Sequence, residues 1–258
     1  MRIIRLTLEY DGTRFHGWQR QPGLRTVQGE IEAALQTVLR EPIALHGAGR
    51  TDAGVHALGQ VASFAWKGAL SLERIRGGLE ALTGDDLTVR GIEEAPAGFD
   101  ARHSARARHY VYLLLDRRSA LWRGRAVLTR VRPDAELLNA AAARLVGDHD
   151  FAGFSCASTD EKGTGSRVFY AVWAPWARGL AFRIGAVRFL HKMVRCIVGS
   201  SLELARGRST LDAFEERLAR PERRGEPVAP AAGLYLASVD YEPAPAWGPD
   251  CLPPWPML

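Results

Sequence analysis

Asp52 lies within Gly49-Arg50-Thr51-Asp52-Ala53-Gly54-Val55-His56, bracketed by Gly49 and Gly54 and two residues from Arg50. Glycine suits places where a backbone turns sharply or comes close to a ligand, so this string reads as a tight loop that presents one carboxylate. A carboxylate beside a guanidinium stays ionised at neutral pH, and an ionised Asp can act as a nucleophile or an electrostatic stabiliser. By spacing alone, an ordinary loop with a structural Asp–Arg pair is the better account. Other groups invite the same two-sided reading. Phe15-His16-Gly17-Trp18-Gln19-Arg20-Gln21-Pro22-Gly23 interleaves aromatic, amide and cationic side chains. Single-stranded or flipped bases stack on such groups, but the same aromatics can equally cover a core edge. Tyr110 follows Arg106, Arg108 and His109, a setting for an aromatic platform beside phosphates, whereas Tyr112 reads as half-buried core. Asp148-His149-Asp150 reads as a helix-exit turn rather than an acid–base or metal site. Gly163, Gly165 and Val168 do not complete GxGxxG, and no GxxxxGK[ST] occurs, so no nucleotide cofactor is expected.

These groups need a scaffold, and the chain is long enough to build one. Its 258 residues are 47% hydrophobic, which fits one or two domains at roughly 100–200 residues each. No apolar run reaches the ~18 residues of a membrane span, and Met1-Arg2-Ile3-Ile4-Arg5 lacks the apolar stretch of a signal peptide. Cys156, Cys196 and Cys251 are few and far apart, which suggests neither a disulfide framework nor a zinc site. A cytoplasmic protein is expected. The net charge of +5 favours a polyanionic partner. Lys67, Lys162 and Lys192 are the only lysines, so the position of each arginine carries more weight than their number.

Ile4, Leu6, Leu8 and Tyr10 alternate with polar residues as a strand does, and Asp11-Gly12 closes it. Thr26 reads as the N-cap of a helix through Leu39 that Pro42 stops. A short strand over Ile43–Ala48 would deliver the Asp52 loop. Gln60–Trp66 and Leu87–Ile92 read as strands around a helix that begins after Ser71. Pro96–Ala105 reads as a crossover, followed by a strand over His109–Leu115. Next come a helix from Asp134 ended by Gly147, and strands over Arg167–Trp173 and Leu180–Gly185. Val187–Ala205 reads as a helix whose Arg188, His191, Lys192 and Arg195 recur at i, i+3, i+4 and i+7 as a basic stripe. A helix around Phe214, a Pro- and Arg-rich loop over Pro221–Pro230, a strand over Leu234–Tyr241 and a Pro- and Trp-rich tail complete the chain. The alternation predicts an α/β (α+β) protein.

The chain resembles the tRNA pseudouridine synthase A family along nearly its whole length and in family order. The resemblance runs through Tyr10-Asp11-Gly12, Gly17-Trp18-Gln19-Arg20-Gln21 and Val27-Gln28, then the Gly49–His56 string and Gly59-Gln60-Val61. It continues with Ala101-Arg102, Ser104-Ala105, Tyr110-Val111-Tyr112, His149-Asp150-Phe151 and Arg167. It ends with Phe189-Leu190-His191-Lys192-Met193-Val194-Arg195, Ile197-Val198-Gly199 and Ala231-Ala232-Gly233-Leu234-Tyr235-Leu236. The resemblance implies the pseudouridine synthase fold: an N-terminal lobe over 1–105 and a C-terminal lobe over 106–258, each a sheet carrying helices, with an active-site cleft between them. It implies isomerisation of uridines at positions 38, 39 and 40 of the tRNA anticodon stem-loop by a homodimer without metal or cofactor. Residue by residue, it implies Asp52 as nucleophile and Arg50 and Arg195 as its arginine neighbours. Tyr110 would stack on the target uracil, Leu234 would pack against the base pocket, and His191 would lie with the substrate-binding residues. The chain departs from the family pattern at Asp100 (usually His), at Lys192 (often a second His), at Gly153 (commonly Ser) and over Gly78–Gly84. Two other classes fit parts of the pattern. A non-catalytic RNA-binding or RNA-chaperone module would not need an intact Asp52, Arg50, Tyr110 and Arg195. A carboxylate glycosidase or nucleosidase would need a second carboxylate as acid, and the sequence offers no clear one.

Overall fold

Alternating burial along β1 (Arg2–Tyr10) sets the first half of the molecule: Ile4, Leu6, Leu8 and Tyr10 are buried and the residues between them are not. In this computed structural model the described residues are 1–130, 133–156, 163–219 and 227–242. Lys162, the stretch 221–226 of the Pro- and Arg-rich loop, and the tail from 243 onward, with Cys251, lie outside them. The described residues form two units, Met1–Arg106 with Tyr235–Tyr241, and those of Ala107–Leu234 with Glu242.

In the first unit β1 lies between β3 (His56–Trp66) and β4 (Leu87–Ala95), antiparallel to both. The short β2 (His46–Gly47) pairs with β3, so only two residues of the strand expected over Ile43–Ala48 form a ladder. On the other edge of β3, β10 (Leu234–Asp240) runs parallel to it, with Tyr235 opposite His56. Helices α1 (Val27–Leu39) and α2 (Leu72–Leu82) pack on each other, burying Val27, Ile31, Leu35, Ile75 and Leu79. Both begin where expected. The Thr26 hydroxyl accepts from Gly29 N–H and the Ser71 hydroxyl from Arg74 N–H, each satisfying an otherwise unpaired first-turn donor. α1 ends on Arg40 in the left-handed region (φ 60°), two residues before the proline assigned to stop it.

The second unit is an antiparallel sheet in the order β5 (Ala107–Leu115), β9 (Gly179–Ala186), β8 (Gly165–Trp176), β7 (Gly147–Asp150), with β6 (Val127–Leu128) parallel to β5. Helices α3 (Ala135–Ala143), α4 (Met193–Ala205) and α5 (Leu211–Ala219) accompany it. Asp134 caps α3, accepting from Glu136 and Leu137 N–H. The core gathers Tyr112, Phe151, Phe154, Tyr170, Phe182 and Phe214. Every side chain of β5 from His109 to Leu115 is buried, so this strand is covered on both faces.

Two expectations change here. Asp148-His149-Asp150 is not a helix exit: α3 stops earlier, and Gly147 (φ 113°) turns the chain into β7, paired with β8. The helix expected from Val187 begins only at Met193. Lys192 caps it with a left-handed backbone (φ 60°), so Arg188, His191, Lys192 and Arg195 do not share one helix face, and of the four only Arg195 is helical. Cys156 and Cys196, far apart in sequence, lie with their thiols 3.8 Å apart.

Candidate active site

The 48–56 segment leaves β2 and enters β3, and buried side chains fix it from below. The Tyr10 hydroxyl hydrogen-bonds the Thr51 hydroxyl at 2.9 Å. Gln60, fully buried on β3, donates through Nε2 to the Gly49 carbonyl at 2.8 Å. Burial pushes the Tyr10 phenol up to about 12, against the pull of its hydrogen bonds with Thr51 and Gln60. It therefore keeps its proton throughout the neutral range.

A second strand of chain straps the loop from the side. Trp18 N–H donates to the Thr51 carbonyl (3.0 Å) and Gly54 N–H to the Phe15 carbonyl (3.3 Å). Gly17, at φ 87°, comes so close that a Cβ would lie 2.7 Å from the Thr51 carbonyl oxygen. A Cβ on Gly12 would lie 2.0 Å from the carbonyl oxygen of Val55. Glycine is required at both places, for close approach and, at Gly17, also for its left-handed backbone. The strap is itself clamped. Arg25 donates to both oxygens of Asp86 (2.8 and 2.7 Å) and to Glu30, and its guanidinium lies 4.1 Å from the Phe15 ring centre. These bonds with Arg25 hold the Asp86 carboxyl below its ordinary range.

Held in this way, Thr51 is buried while Asp52 is partly open and Arg50 is exposed. The loop thus presents a carboxylate and a guanidinium from one rigid backbone. Phe15 and Trp18 are buried, Trp18 against Gly47. Of the two readings of that aromatic loop, core cover is the one observed for these rings. Asp100 also has a structural role. Its Oδ1 accepts from Arg102 and His103 N–H (2.8 and 2.7 Å) and its Oδ2 pairs with His46 Nδ1 at 3.2 Å. Burial opposes its ionisation, but the two N–H groups and His46 outweigh burial and hold the carboxyl low.

The remaining candidates belong to the second unit. Tyr110 is buried on β5, its ring edge-on to Phe189 at 5.0 Å. Arg195, in the first turn of α4, donates through Nε to the Ala229 carbonyl (2.8 Å), and Ala229 N–H returns a bond to the Arg195 carbonyl (2.9 Å). The segment so tied continues to Pro230, whose carbonyl accepts from the Tyr112 hydroxyl (2.8 Å). Next is Gly233, where a Cβ would lie 2.6 Å from the Tyr112 ring, and then buried Leu234. Burial raises the Tyr112 phenol, with Arg195 acting against it. Arg195 and Leu234 are thereby linked through one short segment. His191 is exposed, and its carbonyl accepts from Cys156 N–H and the Ser155 hydroxyl. Among the described residues no group of three or more His, Cys, Asp and Glu is placed to hold a metal, and no helix is long and apolar enough to cross a membrane.

The functional reading of the motifs did not single out the residues that fix the loop: Tyr10, Gly12, Gly17, Thr51, His56 and Gln60. Of these only Gln60 carried a signal of its own, as a polar residue inside the otherwise mainly apolar β3.

The chain that builds this loop matches a known family in sequence. The tRNA pseudouridine synthase model matches residues 7–104 and 141–242. The chain is 43% identical over 242 residues to tRNA pseudouridine synthase A of Chlorobaculum tepidum, covering 93% of this chain and 98% of that one. It is 44% identical over 245 residues to the enzyme of that name from Chlorobium luteolum (93% and 96% covered). With that of Geotalea uraniireducens it shares 41% identity over 244 residues (93% and 100% covered). The chain belongs to the tRNA pseudouridine synthase family, isomerases that convert uridine in tRNA to pseudouridine. The α/β architecture expected from the sequence is the one observed.

Proposed function

We propose that this enzyme isomerises uridines at positions 38, 39 and 40 of the tRNA anticodon stem-loop, with Asp52 as the nucleophile. The observation that carries the reading is the bracing of the Asp52 loop. Gly49, just before Arg50, and Thr51, between Arg50 and Asp52, are tied to the sheet through Gln60 and Tyr10, while the carboxylate itself stays partly open. A purely structural Asp–Arg loop has no need of such fixation; a nucleophile that must meet one atom does.

The chemistry requires the N1–C1′ bond of uridine to break, the base to turn, and a C5–C1′ bond to form. The C5 proton leaves to solvent and N1 gains one, so the product is an isomer and no oxidant or reductant enters. The base must first leave its stack, at a cost of a few kcal/mol. Stacking on Tyr110 returns about 1–3 kcal/mol. The Asp52 carboxylate is the group that attacks C1′ or C6 or takes a proton from the sugar. Arg50 and Arg195 serve as cationic neighbours of the Asp52 carboxylate, Tyr110 assists removal of the C5 proton, and Leu234 packs against the base. His191, exposed beside the start of α4, contacts the RNA. The proposal includes a cytoplasmic homodimer that works without metal or cofactor.

The position assignment is tested with tRNA transcripts carrying C in place of U at 38, 39 or 40, singly and together, with pseudouridine mapped by nucleotide. Product is expected at each uridine left among these three positions and at none in the triple substitution. Equal product in the triple substitution would overturn the assignment.

A further inference from the structure

We propose that His56 positions the catalytic loop through the lone pair on its Nδ1, as an imidazole protonated at Nε2. This rests on the reading of Asp52 as nucleophile. His56 closes the Gly49–His56 string and opens β3, and its side chain is 2% exposed. Gly12 N–H donates to its Nδ1 at 3.1 Å. A backbone N–H can only donate, so Nδ1 must offer its lone pair, and the ring proton sits on Nε2. Nε2 is buried and has no protein hydrogen-bond partner among the described residues. The ring is stacked on Tyr235 at 4.6 Å and 21°.

The Gly12 bond reaches Asp52 through the strap. Gly12 lies against the backbone of Val55, and the chain running on from it supplies Phe15, Gly17 and Trp18, which grip Gly54 and Thr51. Fixing the Gly12 turn therefore fixes the segment that holds the loop on both sides of Asp52. Asp11 makes the choice of proton position consequential. Its Oδ1 lies 3.2 Å from the same Nδ1 and already accepts from Thr13 N–H. A proton on Nδ1 would turn that contact into a hydrogen bond from the ring to the carboxylate and leave Gly12 N–H without its acceptor. His56 acts through the loop and does not touch substrate.

Three variants separate the ring from its acceptor. His56→Asn keeps an acceptor near the place of Nδ1 and loses the stacked ring. His56→Phe keeps the ring and loses the acceptor, and His56→Ala loses both. With a tRNA transcript as substrate, kcat is expected to follow the acceptor: Asn within about threefold of wild type, Phe and Ala lower by roughly 10- to 100-fold, the scale of a misplaced reacting group, with KM little changed. Thermal stability is expected to follow the ring, with Phe above Asn and Ala. Wild-type kcat in His56→Phe, or a fall in Asn equal to that in Ala, would overturn the proposal. Histidine nitrogen NMR of the wild-type protein needs no variant: a protonated Nδ1 at His56 would overturn it as well. Asp52→Ala, assayed alongside, reports separately on the nucleophile, since activity there would remove the reading on which this inference stands.

Discussion

The Tyr10 hydroxyl and the Thr51 hydroxyl are 2.9 Å apart and buried, which ties the end of β1 to the residue before Asp52. The bond serves position rather than acid–base work, because burial keeps the phenol protonated far above neutrality. In Tyr10→Phe the Thr51 hydroxyl loses its partner in a dry place. The expected cost is about 1–2 kcal/mol of stability, together with a fall in kcat at nearly constant KM. Urea unfolding and single-turnover assays on the same preparation check both. An unchanged kcat would show that the loop is held without this bond.

Gly17→Ala places a Cβ against the Thr51 carbonyl and asks alanine for a left-handed backbone. A loss of about 1–3 kcal/mol is expected from crowding and strain, with activity reduced more than overall stability. Gly23→Ala is the control. Its φ of 72° imposes similar strain, but its Cβ position meets nothing within 4 Å, so activity is expected to survive. Circular dichroism melts and turnover of both variants make the comparison.

The clamp between Arg25 and Asp86 predicts a pH dependence of stability. The folded-state value of Asp86 is lowered, so the unfolded chain binds more protons than the folded one as pH falls. The stabilisation is complete above the unfolded value near 3.9 and is lost as pH drops through the lower folded value. Asp86→Asn is expected to cost about 2 kcal/mol at pH 7, a figure kept modest because Arg25 is partly exposed. Its deficit against wild type should shrink below about pH 4. Denaturant midpoints at pH 7 and in that acid window test it, and a deficit independent of pH would contradict the account.

Local signals in the sequence were enough for much of this scaffold. The alternation in β1, the caps at Thr26, Ser71 and Asp134, and the glycine-bracketed loop each depend on neighbours a few residues away. What stayed hidden depends on distant partners. Tyr10 meets Thr51 across 41 residues, and no periodicity encodes such a pair. The spacing of Arg188, His191, Lys192 and Arg195 fits a helix, yet the left-handed Lys192 starts that helix late. Phe15 and Trp18 show the converse: residue type alone does not separate a base-stacking platform from core, and here both rings are buried. Family resemblance, and not spacing, singled out Asp52 from an ordinary Asp–Arg loop.

The most direct test of the central claim is tritium release from a tRNA transcript labelled at C5 of uridine, with wild type and Asp52→Ala measured side by side. The account predicts release by the wild type and none above background by Asp52→Ala, with both binding the tRNA. Release at comparable rates by both would contradict the role assigned to Asp52 while leaving the isomerase intact. Tight binding with release by neither would contradict the catalytic reading itself.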